Sequence, residues 1–334
     1  MPYVYELGER KVIEIITRYL ERMPGAPLPI GDDAAAIDIG HGSVAVIHSD
    51  MLVGKTDVPP GMSLWQAARK SVVMNISDLA AKGVRPIAIL ASIGVPRGLN
   101  EKDIEQVGKG LNEGAREYNA YVLGGDTNEA SDLVISCAAF GICKKRYLMK
   151  RSGAKPGDIA AVTGFFGKTA SGLKILLEKF SAHPEVKKEL VDAVFMPRAR
   201  LKEGLALAQT RAVTASIDSS DGLAWSLHEI SRASNVGFFI DDIPMAFEAK
   251  GFAKIHNIDP VGLCLYGGEE YELLVTIKRR LWEKAREAVE SVEASLIKIG
   301  LVTEEKNLLL RWEGKTIPIE ARGWEHFKTA RIKT

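Results

Sequence analysis

Four short segments of the chain combine aspartate with glycine, serine or asparagine. The first, residues 30–57, carries Asp32 and Asp33 before one expected strand and Ser49 and Asp50 at the end of the next. The other three segments are 75–78, 124–127 and 217–223. Carboxylates that gather in one place repel one another, and Mg²⁺, a hard cation that prefers oxygen ligands, relieves this repulsion. The pattern therefore favours a site for magnesium and a nucleotide.

Each segment also has an ordinary structural explanation. Aspartate is a common turn former, so the first acid pair could be a solvated turn, and Asp78 could face water from an otherwise apolar helix. The glycines of LGGDT could form a strand-end turn, or they could present backbone N–H groups to phosphate while Asp126 binds a metal. In IDSSDGL one polar residue should cap the next helix, but capping does not explain Asp218 at a strand end. Both explanations stay open.

Three further features are less specific. The sequence TGFFGKT at 163–169 has two residues between Gly and Gly-Lys, whereas a P-loop needs four, so it is interpreted as a structural turn. In GGEEYELL, Glu269 lies nearest the turn and is the better ligand candidate, while Glu270 and Glu272 are interpreted as outward-facing strand residues. Trp324 could pack in a core or lie over a flat cationic ring.

The elements that must position these residues follow from hydrophobic periodicity. Helices are predicted at 8–22, 63–82, 101–118, 168–180, 198–209, 222–234 and 279–291. Strands are predicted at 34–39, 43–50, 86–94, 120–123, 132–142, 159–163, 213–217, 236–240, 271–277 and within 296–319. Adjacent strand pairs among the helices indicate an α+β arrangement. The Gly- and Pro-containing stretch KRSGAKPGD suggests a boundary between domains at 1–150 and 151–334.

Composition narrows the class of protein. The chain has 334 residues, with 44 Lys and Arg against 43 Asp and Glu, so it offers no broad basic face to nucleic acid or to a membrane. Its apolar runs are far shorter than the roughly twenty residues that span a bilayer. The three cysteines form no CxxC pair and are expected to be reduced core residues. We expect a cytoplasmic protein with neither a nucleic-acid nor a membrane partner.

The motifs, taken in order, resemble one family. GDDAA, SDMLV, NISDLAAKG, LGGDT, KRSGAKPGD, IDSSDGL, GGEEYELL and GWEHF, between Gly31 and Phe327, are similar to those of thiamine-monophosphate kinases. These belong to the superfamily that includes aminoimidazole ribonucleotide synthetase. The resemblance implies an N-terminal α+β domain whose strands pair with a second subunit, and a C-terminal α/β domain, with ATP bound between them. It also implies a homodimer that uses ATP and Mg²⁺ to convert thiamine monophosphate to thiamine diphosphate.

The resemblance also implies roles for individual residues. The implied magnesium ligands are Asp33, Ser49, Asp50, Asp78, Asp126, Asp218 and Asp221. The implied ATP contacts are Gly125, Asp126, Arg151 and Ser220. The implied substrate contacts are Asp57, Glu269 and Trp324. No general base is expected, because a phosphate acceptor is already an anion and no histidine falls within the acidic motifs themselves.

Three positions depart from the family's usual motifs. Asp57 stands where bacterial members commonly have histidine, seven residues after the SD or TD acid. Lys82 replaces the methionine of SDLAAMG, and Glu270 replaces the aspartate of GGEDYEL. The role of Asp57 in substrate contact is therefore open, whereas the other two changes are expected to be tolerated.

Two other functions stay open. One is a different ATP-dependent enzyme of the superfamily, either amidine-forming or selenophosphate- or carbamoyl-activating. The last two rely on a reactive cysteine near a terminus, and this chain has none before Cys137 or after Cys264. The other is a nucleotide-binding regulator without turnover, against which the full set of motif acids argues.

Overall fold

The protein is built around two β-sheets, which a computed structural model describes for residues 3–327. The helices are α1 (Val4–Leu7), α2 (Glu9–Thr17), α3 (Gly54–Asp57), α4 (Leu64–Ala81), α5 (Glu101–Glu117), α6 (Lys168–Glu178), α7 (Pro184–Phe195), α8 (Leu201–Thr210), α9 (Leu223–Ser234), α10 (Phe247–His256), α11 (Pro260–Tyr266) and α12 (Trp282–Glu290). The strands are β1 (Ala35–Asp38), β2 (Ser43–Val53), β3 (Pro86–Val95), β4 (Tyr121–Glu129), β5 (Val134–Lys144), β6 (Ile159–Val162), β7 (Val213–Asp218), β8 (Gly237–Ile240), β9 (Leu273–Ile277), β10 (Ile297–Thr303), β11 (Leu308–Trp312) and β12 (Lys315–Pro318). This mixture of elements agrees with the α+β prediction.

The first sheet has the strand order β1-β2-β5-β3-β4 and carries α4 on one face. Helix α4 begins where predicted, because the side chain of Ser63 accepts a hydrogen bond from the backbone N–H of Gln66 and the side-chain oxygen of Gln66 accepts one from the backbone N–H of Ser63. Its apolar side chains, among them Ile76 and Leu79, are fully buried against the sheet. The helix that carries Asp78 is therefore fixed in register by its cap and its packing.

The opposite face of the first sheet is apolar and exposed. Side chains from its strands leave 40% or more of their area accessible to solvent. They are Ile37, Ile47, Met51, Ile87, Leu90, Tyr121, Leu123 and Ile142. A contiguous apolar patch of this kind on a single chain is typical of an interaction surface.

The second sheet has the order β12-β11-β8-β10-β6-β9-β7. It shares a core with the first sheet through α4 and α8, which cross closely. At the crossing, a Cβ added to Gly204 would lie 2.1 Å from the carbonyl oxygen of Ala80, so only glycine allows the approach. This packing places the α4 segment around Asp78 beside β7, which ends at Asp218.

Several elements differ from the sequence predictions. Helices α7 and α11 are not predicted, because Pro184 and Pro260 look like helix breaks but occupy the first helical position, where proline is favoured. Helix α10 is not predicted either. Helix α2 ends at Thr17 rather than near residue 22, and Tyr19 beyond it is exposed. Strand β4 continues through LGGDT to Glu129 instead of turning there, because it pairs in parallel with β3 along this length. Within residues 3–327, no helix combines the length and apolar composition needed to cross a membrane.

Candidate active site

Three carboxylates from different elements converge between the sheets, and we call Asp33, Asp78 and Asp218 the acid cluster. Asp33 lies just before β1, Asp78 is in α4 and Asp218 ends β7. Each offers an oxygen within 4.8 Å of the other two. They line a cavity of about 190 Å³ whose wall also includes Asp221 and Arg151. Residues separated by up to 185 positions in the chain are thus brought together.

A second group of potential ligands lies on β2 beside the acid cluster. His48 and Asp50 alternate on one face of the strand and, with Asp78, place ligand atoms within 4.8 Å of one another. The Nδ1 of His48 lies 2.6 Å from the carbonyl oxygen of Asp33. Ser49 points to the other face, where its hydroxyl donates to the carbonyl oxygen of Cys137, so its side chain does not join either group. The sequence analysis missed His48, although its spacing of two from Asp50 on a strand would have identified it.

The charges of the acid cluster are unevenly balanced. Burial, together with the charges of Asp218 and Asp33, raises the pKa of Asp78 well above its ordinary value. Burial and then the charge of Asp33 raise the pKa of Asp218 to about 7. Burial alone would also raise the pKa of Asp33, but Lys82 and Arg151 hold it below its ordinary value. Two of the three acids therefore ionise fully at neutral pH only if further positive charge is nearby, and their oxygen donors suit a hard divalent cation such as Mg²⁺.

Two basic side chains hold the acid pair before β1. The ammonium of Lys82, which is 0% exposed, lies 2.6 Å from both Asp32 Oδ1 and Asp33 Oδ2 and donates to the carbonyl oxygen of Ser216 at 3.0 Å. Arg151 donates from Nε to Asp33 Oδ1 at 3.0 Å, and its backbone N–H donates to Asp32 Oδ2 at 2.9 Å. Arg151, predicted as an ATP contact, is thus engaged with the acid pair in this structure.

Helix α2 closes one side of the cavity with Arg10. Its guanidinium lies 3.3 Å from Asp221 Oδ2, stacks over the ring of Trp225 at 3.5 Å and pairs with Glu229. Burial and the neighbouring Glu9 raise the pKa of Asp221 to about 6, and Arg10 offsets part of this rise. Asp221 therefore lies at the rim of the cavity rather than within the acid cluster.

Asp126 lies far from the acid cluster within one chain. It is exposed on β4, at the edge of the first sheet, beside Ser92 of β3. Ser92 pairs with Ser136 of β5, which in turn pairs with Met51 of β2. Three strand spacings, about 14 Å, therefore separate Asp126 from the strand that carries Asp50.

Gly125, which precedes Asp126, allows a close approach of two strands. A Cβ at this position would lie 1.7 Å from the carbonyl oxygen of Ala91. The glycine is thus required by the pairing of β3 and β4, whatever ligand its backbone meets.

Lys70, which is almost completely buried, links two of the three predicted substrate residues. Its ammonium lies 2.5 Å from Glu269 Oε1 and donates to the carbonyl oxygen of Asp57 at 3.1 Å. The carboxylate of Asp57 accepts a hydrogen bond from the backbone N–H of Val53, which ties it to its own turn. Asp57 and Glu269 therefore share a cation, and sequence reasoning missed the lysine that joins them.

Ser220 and Trp324 lie next to the Gly268–Glu269 segment. The backbone N–H of Glu269 donates to the carbonyl oxygen of Ser220 at 2.6 Å, and that of Trp324 donates to the carbonyl oxygen of Asp221 at 3.1 Å. The Trp324 side chain is 48% exposed, so it does not pack in a core. An exposed indole on the residue next to Gly268 offers a flat apolar surface to a ligand ring.

The interpretation of Glu270 and Glu272 as outward-facing strand residues is wrong. Both precede β9, and Glu272 is buried in an ion pair with Arg200. Glu270 accepts hydrogen bonds from the backbone N–H groups of Gly167 and Thr169, and burial raises its pKa to about 7. These acids anchor the TGFFGKT turn, which supports the structural interpretation of that segment.

The chain is similar over its length to known proteins. Residues 31–143 match the family model described as AIR synthase related protein, N-terminal domain. The thiamine-monophosphate kinase of Pyrococcus abyssi is 36% identical over 325 residues, covering 97% of each chain, and that of Pyrococcus horikoshii is 37% identical over 317 residues, covering 94% of this chain and 96% of the relative. A solved structure described as AaThiL complexed with AMPPCP and TMP superposes with a TM-score of 0.85 at 26% identity, covering 98% of this chain and 99% of that one. By its convergent acids and its full-length similarity, the chain belongs to the thiamine-monophosphate kinase family.

Proposed function

We propose that this protein transfers the γ-phosphoryl group of ATP to the phosphate of thiamine monophosphate, giving thiamine diphosphate and ADP. The observation that carries this proposal is the convergence of Asp33, Asp78 and Asp218, three acids of the family's motifs, in one cavity. Family relatives at 36–37% identity bear the name of this kinase, and the structure at a TM-score of 0.85 is described as holding both AMPPCP, an ATP analogue, and TMP. The protein is therefore an ATP-dependent phosphotransferase.

The chemistry asks the protein to align two anions rather than to remove a proton. The acceptor phosphate is already nucleophilic, so a general base is not needed, and the barrier is set by charge and geometry. When bound, Mg²⁺ supplies the positive charge that the phosphate oxygens and the acids require. Asp50, Asp78 and Asp218 would hold it, Asp33 would lie beside it with its charge offset by Lys82 and Arg151, and Asp221 would act at the rim. Ser49 joins this proposed set only through its backbone, since its side chain faces away.

Roles for the remaining predicted residues extend the same proposal. Gly125 and Asp126 would meet the nucleotide or its metal, Ser220 would present its exposed hydroxyl to phosphate, and Arg151 would lie next to the phosphates while it holds Asp33. The guanidinium is well suited to this position because its planar donors can serve a carboxylate and a phosphate at once.

A homodimer is part of the proposal. It is supported by the apolar face of the first sheet, which one chain leaves exposed, and by the distance between Asp126 and the acid cluster. If strands of two subunits pair across this face, Asp126 of one copy has a route to the nucleotide that it lacks within its own chain. The domain division at 1–150 and 151–334 is proposed on the same basis, since the two sheets draw their strands from these two segments.

The cytoplasm is the proposed location. The three cysteines are free thiols, and two of them, Cys137 and Cys264, are buried. Unpaired cysteines are typical of proteins from a reducing compartment.

Replacing Leu90 by glutamate is expected to convert the dimer to monomers. Leu90 is 53% exposed on β3 within the apolar face, and a charge buried there on association would be unpaired. Light scattering coupled to size exclusion measures the mass directly. The matched control is Leu177→Glu, which changes a leucine that is 57% exposed on α6, away from the first sheet. Equal masses for Leu90→Glu and the wild type would contradict the proposed interface.

The reaction itself is tested by incubating the protein with ATP, MgCl₂ and thiamine monophosphate, then separating the products. Thiamine diphosphate and ADP are expected in equal amounts. ADP release that does not depend on the acceptor would instead favour a nucleotide-hydrolysing regulator. Absence of thiamine diphosphate with every divalent metal tried would overturn the proposed function.

Replacing Trp324 by alanine is expected to raise the KM for thiamine monophosphate about tenfold or more, with a smaller effect on the KM for ATP. The half-exposed indole is proposed to lie over a ring of the thiamine, and such stacking on a cationic ring contributes roughly 1–2 kcal/mol. Initial rates with each substrate varied in turn measure both constants. Equal changes in the two constants would remove Trp324 from the thiamine pocket.

A further inference from the structure

We propose that the Lys82 ammonium is a fixed cation of this site, holding Asp32 and Asp33 in the place that a divalent ion would otherwise take. The inference rests on the proposed magnesium site and assigns a positioning role to a side chain that the family's usual motif does not contain. It predicts that the protein binds one divalent ion fewer than the same site would bind with a neutral side chain at position 82.

The contacts of Lys82 are those of a bound cation. Its Nζ lies 2.6 Å from one carboxylate oxygen of Asp32 and 2.6 Å from one of Asp33, and the carbonyl oxygen of Ser216 accepts a hydrogen bond from it at 3.0 Å. The side chain is 0% exposed. Two of the three ammonium donors are used by Asp32 and Ser216, and Asp33 Oδ2 lies at ion-pair distance from the same nitrogen.

Lys82 also joins three separate elements. It is the C-cap residue of α4, it holds the acid pair before β1, and Ser216 belongs to β7. Arg151 takes the remaining Oδ1 of Asp33, so the two oxygens of this carboxylate each face a basic side chain. The acid pair is therefore held in position by the protein's own cations.

The other two members of the acid cluster lack this support. In the described part of the chain, Asp78 has only His48 as a basic neighbour, at 3.1 Å, and Asp218 accepts a hydrogen bond from the hydroxyl of Ser77 at 2.7 Å. Neither contacts a lysine or arginine among the described residues. The demand for divalent ions thus falls on Asp50, Asp78 and Asp218, while the Asp32–Asp33 pair is already neutralised.

Lys82→Met is the direct test, because methionine keeps the unbranched apolar stem and removes the charge. In EDTA the variant is expected to melt roughly 5–10 °C lower than the wild type, since a buried ion-pair network loses its cation. Saturating Mg²⁺ or Mn²⁺ should restore most of the lost melting temperature. The metal should therefore raise the melting temperature of the variant more than that of the wild type. Mn²⁺ binding followed by electron paramagnetic resonance, without nucleotide, should show one additional bound ion.

Lys109→Met serves as the matched control, because Lys109 is a half-exposed lysine on α5 that pairs with Glu105, far from the acid pair in the chain. It should leave both the metal-induced shift and the number of bound ions unchanged. An unchanged number of Mn²⁺ ions and an unchanged metal-induced shift in Lys82→Met would overturn the inference. A purely structural role for Lys82 would lower the melting temperature without adding an ion.

Asp32→Asn provides a second test that keeps Lys82 in place. If the ammonium holds this pair, the variant should bind the same number of Mn²⁺ ions as the wild type. Loss of one ion would mean that a metal occupies the pair and would overturn the inference. None of these measurements depends on catalysis. Failure of the wild type to form thiamine diphosphate would therefore contradict the proposed function, whereas the number of bound Mn²⁺ ions would still test the role of Lys82.

Discussion

Asp78→Asn is expected to lower kcat by about 100- to 1000-fold, the effect of removing one group that stabilises charge in a transition state. Asp78 is the one residue shared by the acid cluster and by the group on β2 that includes His48 and Asp50. Asparagine keeps the shape of the side chain but halves its oxygen donors and removes its charge. The substitution should therefore weaken metal binding at both groups.

The measurement is kcat with both substrates saturating, together with circular dichroism and a thermal melt to establish folding. Asp38→Asn is the matched control, since Asp38 is an exposed aspartate on β1 of the same sheet. Its turnover should equal that of the wild type. Turnover within threefold of wild type in a folded Asp78→Asn protein, at limiting as well as saturating Mg²⁺, would contradict a metal-binding role for Asp78.

Asp33→Asn would be a less clean test of the same site. Asp33 is almost completely buried against Lys82 and Arg151, and loss of its charge leaves two basic groups without a full counter-ion. Breaking such a buried network typically costs about 3–5 kcal/mol. A fall in activity could then reflect loss of folded protein rather than loss of metal. Asp78→Asn is therefore the more informative test of metal binding, because Asp78 is not part of the ion-pair network that holds Asp33.

Sequence reasoning identified the acids of the cluster because their environments are locally unusual. Asp218 at a strand end and Asp78 in an apolar helix both violate the preferences of their elements, and such violations mark functional positions. The prediction of α4 succeeded for a similar local reason, since Ser63 and the apolar period define its start and its buried face.

The missed contributions depend on contacts that no local pattern contains. Lys82 appeared to be a tolerated change at the end of a helix, and only the fold brings it against Asp32 and Ser216. His48 was missed because the motif was taken to begin one residue later. The separation of Asp126 from the acid cluster follows from the strand order, in which β5 and β3 lie between β2 and β4, and strand order is not encoded in the spacing of motifs.

Asp218→Asn is expected to make the metal-free protein more stable at pH 8, although it should damage catalysis. Burial and the charge of Asp33 raise the pKa of Asp218 to about 7, against a reference value of 3.8 in the unfolded chain. The folded state therefore holds this proton more tightly than the unfolded state does. A difference of this size corresponds to a few kcal/mol, on the order of 2–4.

The direction of the pH dependence distinguishes the cost of ionising buried Asp218 from an effect of the substitution on packing. Below about pH 4, Asp218 is protonated in both states and has no charge to bury, so the two proteins should melt at similar temperatures. Between pH 4 and 7 the wild type loses stability because the unfolded state ionises while the folded state still holds the proton, and above pH 7 the difference should be greatest. Ser77 can still donate to the amide oxygen of asparagine, so its hydrogen bond is kept. Thermal melts in EDTA from pH 4 to 8 measure the effect, with Asp38→Asn as the exposed control.

Mg²⁺ should reverse this order of stability. Bound metal replaces the missing positive charge, so it should raise the melting temperature of the wild type more at pH 8 than at pH 5, where protons compete for the carboxylates. Asp218→Asn should respond weakly at both values. A metal-free wild type as stable as the variant at pH 8 would mean that Asp218 carries no penalty in the folded protein, and the acids would then need no cation to coexist. An acid cluster that costs stability without metal and recovers it with metal is what a phosphoryl-transfer site requires, because the ion then binds where the phosphates must be aligned.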